Sequence, residues 1–344
     1  RRSAKSPRGA RREAGARRTA EDPGAQHPMA QAQAQQGGMW IPSLLKGTNE
    51  KEMKALVDME VFEFHDDTTK LDETFQETKL WLIVDVKTDL RRKARLVAGG
   101  NLVELLEGVA VYSSTVKQIS VRLLQVIAHR AKLKTLTGDV GNAYVNAFTS
   151  EKVYAVAGPE FGPLRGKILI IEKALYGLKS SGAAFRSFMA EKLDSMNFKS
   201  SMADPDVWMR PAIKSDGTPY YQYVLLYTDD ALAIAEGAED ILRKEIGKYF
   251  ELKQESIEPP KIYLGGHMRM VTLKNDQKAW AFSASQYVQA AVKNVEEYIG
   301  KRGWKLPRAN TPLSTSYRPE LDLTTELNKS DSTYYQSLIG IFRW

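Results

Sequence analysis

Residues 220–235 read YYQYVLLYTDDALAIA: an apolar run, two adjacent aspartates, and a second apolar run. This pattern constrains the fold more than any other in the chain. The flanking runs have strand composition, and aspartate is disfavoured inside strands, so Asp229 and Asp230 mark a tight turn between two paired strands. Two-residue hairpin turns favour Gly or Asn, and neither accompanies the pair. Side-by-side carboxylates also repel each other unless a cation neutralises them. The pair is therefore either an ordinary charged turn or half of a cation site.

Asp139 is the second clue. Lys134–Val140 reads as a short strand, and Asp139 stands at its end in TGDVGNAY. An aspartate there also suits a helix N-cap. If the strand joins the sheet of residues 220–235, three acids share one edge. Hard oxygen donors with room for water and phosphate are what Mg²⁺ requires. Two such ions suit in-line phosphoryl displacement.

The remaining pattern is mixed. Leu44–Phe62, Val121–Ala131, Ser181–Met196, Ala238–Tyr249 and Gln286–Tyr298 read as helices. Leu80–Val86 and Ala94–Ala98 read as a strand hairpin across the charged turn 87–93. Helices and strands alternate irregularly, which predicts an α+β fold rather than a doubly wound sheet. Residues 1–38 carry a dense arginine run and then an Ala/Gln/Gly-rich stretch. That composition predicts a disordered arm, either a nucleic-acid tether or a solvated tail. The chain has no cysteine and four scattered histidines, which excludes disulfides and argues against a Cys- or His-based metal site. A net charge of +7 suits a polyanionic partner without requiring one. No apolar run reaches membrane-spanning length and no signal peptide is visible, so no membrane partner is expected. A start at Arg1 and a stop at Trp344 suggest a fragment or partial gene product.

An ordered set of motifs resembles the reverse transcriptase of copia-type LTR retrotransposons, over roughly Trp81 to Trp344. They are KARLVAGG (Lys93–Gly100), VYSSTV (Val111–Val116), DVGNAYVNA (Asp139–Ala147), KVYAVAGPEFG (Lys152–Gly162) and ALYGLKSSGAAF (Ala174–Phe185). ADPDVWMRP (Ala203–Pro211), YTDD (Tyr227–Asp230) and YLGG (Tyr263–Gly266) complete the series. The resemblance implies a right-hand polymerase: fingers and palm over 39–262, and a partial thumb over 263–344. It implies RNA-directed DNA polymerisation with two Mg²⁺ ions held by Asp139, the Val140 carbonyl, Asp229 and Asp230. It places Lys93 and Arg95 at the dNTP triphosphate, with Lys87 a further candidate. Tyr144 becomes the steric gate against a 2′-hydroxyl, Tyr176 and Gly177 lie beside nucleotide and template, and Tyr263, Leu264 and Gly265 form the primer grip. The implied partners are an RNA template, a DNA or RNA primer and dNTPs, in a cytoplasmic virus-like particle or the nucleus. Oligomeric state is left open, a dimer included.

Departures from the family pattern are Thr228 where Val is commoner in YxDD, Ile119 where Asp is common, and Phe185 where Trp is common. No acid of the triad is lost. Two other readings stand beside polymerase: a decayed or fragmentary element that binds RNA–DNA hybrid without extending it, and another two-metal phosphoryl-transfer enzyme on a palm-like sheet.

Overall fold

The computed structural model of this protein describes residues 46–66, 71–86, 92–311 and 317–342. The expected basic arm and Lys87 lie outside these residues. Strands β1–β14 and helices α1–α5 below are numbered along the chain.

The centre is a five-stranded antiparallel sheet of order β5-β11-β10-β9-β8. These strands are Lys134–Asp139, Asp230–Ala235, Pro219–Tyr227, Val207–Ile213 and Lys199–Ser200. Side chains alternate between faces of a strand, so the apolar run of 224–235 is explained only if both faces are covered. They are. Val224, Leu226, Ala231, Ala233 and Ala235 pack in one cluster with Phe185, Met189 and Leu193 of α3 (Ser181–Ser195). Leu225, Leu232 and Ile234 pack in another with Val121 and Leu124 of α2 (Gln118–Arg130) and with Tyr263 and Met268. The sheet is thus a rigid floor whose edge strand β5 carries Asp139.

Motif ADPDVWMRP helps hold this floor together. The buried Asp204 carboxylate accepts from the Lys117 amide (2.9 Å) and the Ser120 hydroxyl (2.6 Å) at the start of α2. Its charge also suits the partly positive helix N-terminus. Asp206, fully buried, is neutralised by Arg186 Nε of α3 at 2.7 Å.

The N-terminal layer contains helix α1 (Lys46–Asp58) and a four-stranded sheet of order β1-β7-β6-β2. Its strands are Phe62–His65, Ile168–Ile171, Val153–Val156 and Gln76–Glu77. The expected helix over 44–62 therefore stops short. The chain turns at Glu60 (φ 52°), and Phe62 starts a strand paired with the wholly buried β7. Phe62 packs edge-on against Phe161 at 5.5 Å, which a continuing helix would forgo. The expected hairpin is present as β3 (Leu80–Val86) and β4 (Arg92–Ala98).

Residues 238–248 also differ from the expected regular helix. An α turn passes into a π turn at Ile241–Glu245 and a 3₁₀ turn at Ile246–Lys248. Within this stretch Glu245 receives two 2.7 Å bonds from Arg210 of β9. Beyond it lie a three-stranded sheet, β12 (Ile262–Tyr263), β13 (Gly266–Thr272) and β14 (Lys278–Ser283), and helices α4 (Ser285–Gly300) and α5 (Lys329–Phe342). The two helices are joined by a Tyr298–Tyr334 stack at 3.5 Å and by Asp331, which accepts from Tyr298 and Arg302. Among the described residues no helix is long and apolar enough to cross a membrane.

Candidate active site

Strand register brings the three acids together. Asp230 opens β11 directly opposite Asp139, the last residue of β5. Tyr227 pairs with Asp230, so the hairpin loop is Thr228-Asp229 rather than the aspartate pair. The Val140 amide donates to the Asp229 carbonyl (2.9 Å), which fixes the loop against the end of β5. Thr228 has φ 53°, a costly conformation for a β-branched residue. Strain of this kind persists only where the surroundings over-determine it, and it clusters at functional sites.

Asp139 is held on three sides by one loop. Its amide donates to Ser256 Oγ (2.8 Å), its carbonyl accepts from the Lys253 amide (3.0 Å), and both carboxylate oxygens lie 2.6 Å from Lys253 Nζ. The Asp139 side chain is thus turned onto an ammonium. Among the described residues no three acidic or histidine side chains converge into a ready metal cage. The donor set nonetheless suits a hard cation, because it is made of carboxylates and one of them is strained by the others. Burial first, then the neighbouring charges of Asp229 and Asp139, push Asp230 up to about 7, and Lys253 only partly offsets them.

This shift has a consequence for stability. In the unfolded chain Asp230 ionises near 3.8, whereas in the fold it resists ionisation until about 7. Its contribution to stability is full below about pH 4 and is lost as pH rises through 7. In chelator, Asp230→Asn should therefore melt higher than wild type at pH 8, with the difference shrinking toward pH 4. A difference that does not change with pH would remove the assigned cause.

Next to the acids stands a wall of rings and cations. Tyr144, at the start of a 3₁₀ turn, lies 4.8 Å from Tyr176 and 6.2 Å from Phe185, centroid to centroid. Arg95 of β4 sits 5.7 Å over the Tyr176 ring and donates to Asp85 of β3 at 2.9 Å. Burial and the Asp229 charge push Tyr176 up to about 12 and raise Tyr144 too, so both hydroxyls stay protonated near neutrality. Lys93 lies on the same strand two residues away, opposite Asp85. Glu52 of α1 faces both cations; burial raises its pKa, and a bond from the Leu96 backbone opposes the rise.

Gly177 seats this wall. The Ala98 amide donates to the Tyr176 carbonyl at 2.7 Å, docking the loop on the open edge of β4. A Cβ on Gly177 would lie 2.0 Å from the Ala98 carbonyl, and its φ is +94°. Gly177→Ala should therefore cost about 2–4 kcal/mol from left-handed strain and overpacking together. A melting temperature within a degree of wild type would show that the loop is not docked this way.

The expected grip residues take a different place from the acids. Tyr263 is fully buried, its hydroxyl donates to the Leu225 carbonyl (3.0 Å), and its ring meets Tyr227 edge-on at 6.1 Å. Leu264 and Gly265, both at positive φ, form the loop of the β12–β13 hairpin. Tyr263 thus braces the strand that leads into Thr228-Asp229. A cavity lined by Ser113, Ser114, Tyr144, Gly182, Arg186 and Thr228 adjoins that loop. Lys253, Ser256 and Glu52 escaped the sequence reading. Lys253 and Ser256 lie in a polar loop without periodicity, and Glu52 stands among Glu50, Lys51 and Lys54 with nothing in the sequence to set it apart.

The family described as reverse transcriptase (RNA-dependent DNA polymerase) matches residues 77–300, more than half of the chain. The retrovirus-related Pol polyprotein from transposon TNT 1-94 of Nicotiana tabacum is 26% identical over 212 residues, covering 59% of this chain and 15% of that protein. Those from transposons RE2 and RE1 of Arabidopsis thaliana are each 25% identical, covering 74% of this chain and 16% of those proteins. The chain therefore spans about a sixth of the curated relatives it matches. The solved foamy viral protease–reverse transcriptase in complex with double-stranded DNA aligns with TM-score 0.42 and 13% identity, over 90% of this chain and 41% of that one. On the family match and these relatives, the chain belongs to the reverse transcriptase (RNA-dependent DNA polymerase) family, in its copia-type retrotransposon branch.

Proposed function

We propose that this chain is the polymerase core of a retrotransposon reverse transcriptase, adding dNTPs to a primer 3′-hydroxyl on an RNA template. The observation that carries the proposal is the register of Asp139 against Asp230, with Asp229 in the adjoining loop, beside the Arg95–Tyr176–Tyr144 wall. In this reading the five-stranded sheet is the palm, the β3–β4 hairpin belongs to the fingers, and residues 263–344 contribute part of a thumb.

Asp139, Asp229, Asp230 and the Val140 carbonyl are the groups that would hold Mg²⁺. When bound, two such ions activate the primer hydroxyl and neutralise the leaving pyrophosphate. The chain's own residues do the positioning. Arg95 and Lys93 meet the triphosphate with fixed positive charge. The Tyr144 and Tyr176 rings bound the sugar and shield it from water. The strained Thr228 loop presents Asp229 without a flexible hinge. Catalysis is then mostly orientation and pre-aimed charge.

Purified protein should extend oligo(dT) on poly(rA) with Mg²⁺ and stop when EDTA is added. Binding of the hybrid without extension would favour a decayed element. Nucleotide turnover that ignores the template would favour a different phosphoryl-transfer enzyme.

A further inference from the structure

Lys253 is the one part of the acidic cluster that polymerase chemistry at the three acids does not account for. It lies 114 residues from Asp139 in sequence, yet its ammonium bridges both Asp139 oxygens at 2.6 Å. A lysine making a casual surface pair would touch one oxygen and keep its stem free. Here the lysine's backbone is also tied to the strand end. The Lys253 amide donates to the Asp139 carbonyl, and the Ser256 hydroxyl, which accepts from the Asp139 amide, donates in turn to the Lys253 carbonyl at 2.6 Å. Gly141 N donates to Glu251 O at 2.8 Å, extending the same pairing beyond Asp139. Loop and strand end are therefore one rigid unit, with the ammonium aimed at the carboxylate. The pair is only partly shielded, with side chains 41% and 30% exposed, so it can open without unfolding anything.

The charge balance points the same way. Three carboxylates share one sheet edge, Asp139 opposite Asp230 with Asp229 in the adjoining loop. Lys253 supplies one positive charge where a divalent ion would supply two. An ammonium that donates to both carboxylate oxygens leaves neither oxygen of Asp139 free for an ion.

We propose that Lys253 is a resident counter-ion of the acidic cluster: its ammonium holds Asp139 in the metal-free protein and must be displaced before a divalent ion can bind there, so it sets the affinity for that ion. The inference rests on the polymerase reading only in taking Asp139 as a metal ligand. It makes the metal-free protein stable with its acids already aligned, at the expense of weaker metal binding.

The test is Mn²⁺ binding, measured by calorimetry and by the EPR signal of free Mn²⁺, on wild type, Lys253→Met and Lys253→Arg. Methionine keeps the stem and removes the charge; arginine keeps a charged partner for Asp139. Lys253→Met should bind Mn²⁺ roughly three- to tenfold more tightly, the range expected for releasing one partly exposed, charge-assisted pair. It should also melt lower than wild type in EDTA and gain more from Mn²⁺. Lys253→Arg should bind no more tightly than wild type. Part of the gain in Lys253→Met should survive in 0.5 M KCl, since displacement of a direct contact is screened less than a distant field. Wild type that binds Mn²⁺ with Lys253→Met no tighter would overturn the counter-ion role and leave the polymerase reading standing. A gain that vanishes entirely in high salt would reduce Lys253 to a field effect and overturn it likewise. No Mn²⁺ binding by any of the three proteins would overturn the metal assignment of Asp139 and this inference with it.

Discussion

Asp139→Asn should reduce primer extension by at least about a hundredfold to a thousandfold, the loss seen when one pre-aimed electrostatic group is removed from an active site. The substitution is nearly isosteric, so the end of β5 keeps its register with β11. The fold should survive. What the variant loses in stability is a partly exposed pair with Lys253, worth about 1 kcal/mol or less after solvent screening. Affinity for an RNA–DNA hybrid should also stay within a few fold, because cations rather than acids meet the phosphates. The measurements are extension of oligo(dT) on poly(rA), hybrid binding and a melting curve for the same preparation. Extension near the wild-type rate would remove Asp139 from the site. Extension and folding lost together would show a structural role instead.

Tyr144→Ala should raise the use of ribonucleotides relative to deoxyribonucleotides by about one to two orders of magnitude. The figure follows from the ~1–3 kcal/mol that overpacking by an extra heavy atom typically costs. The Tyr144 ring is wedged between Tyr176 at 4.8 Å and Phe185 at 6.2 Å, so it has little freedom to yield to a 2′-hydroxyl. The same packing means that alanine will also lower stability, since Tyr144 lies against the core cluster containing Phe185. The decisive quantity is therefore the ratio of kcat/KM for dTTP and UTP, not either activity alone. Tyr144→Phe should keep that ratio, because the bulk of the ring does the excluding. An unchanged ratio in a folded alanine variant would leave Tyr144 as a core aromatic and nothing more.

Both predictions depend on features of different origin. Local chemistry alone determined the β10–β11 hairpin, the strand ending at Asp139, the β3–β4 hairpin and helix α3. In each, side-chain periodicity and turn composition agree over a short stretch, and such agreement is visible in one dimension. The helical reading of residues 44–62 overran its true end. The stop was set by pairing with β7, and nothing in that stretch records its partner. The regular helix over 238–249 failed for a related reason: its π turn coincides with the Arg210–Glu245 contact to a distant strand.

The site itself shows the same division. Strand and turn chemistry pointed to Asp139, Asp229 and Asp230, and the family resemblance added Tyr144, Arg95 and Gly177. Only the tertiary structure decided that β5 lies beside β11, that Tyr176 docks on β4 with no room for a Cβ on Gly177, and that Lys253 occupies Asp139. Hydrophobic periodicity tells a strand which faces to bury but not which neighbour to choose. A lysine in a polar loop carries no signal of the carboxylate it will meet. Those choices are made by global packing, where burial of both sheet faces and the pairing of buried charge are satisfied together.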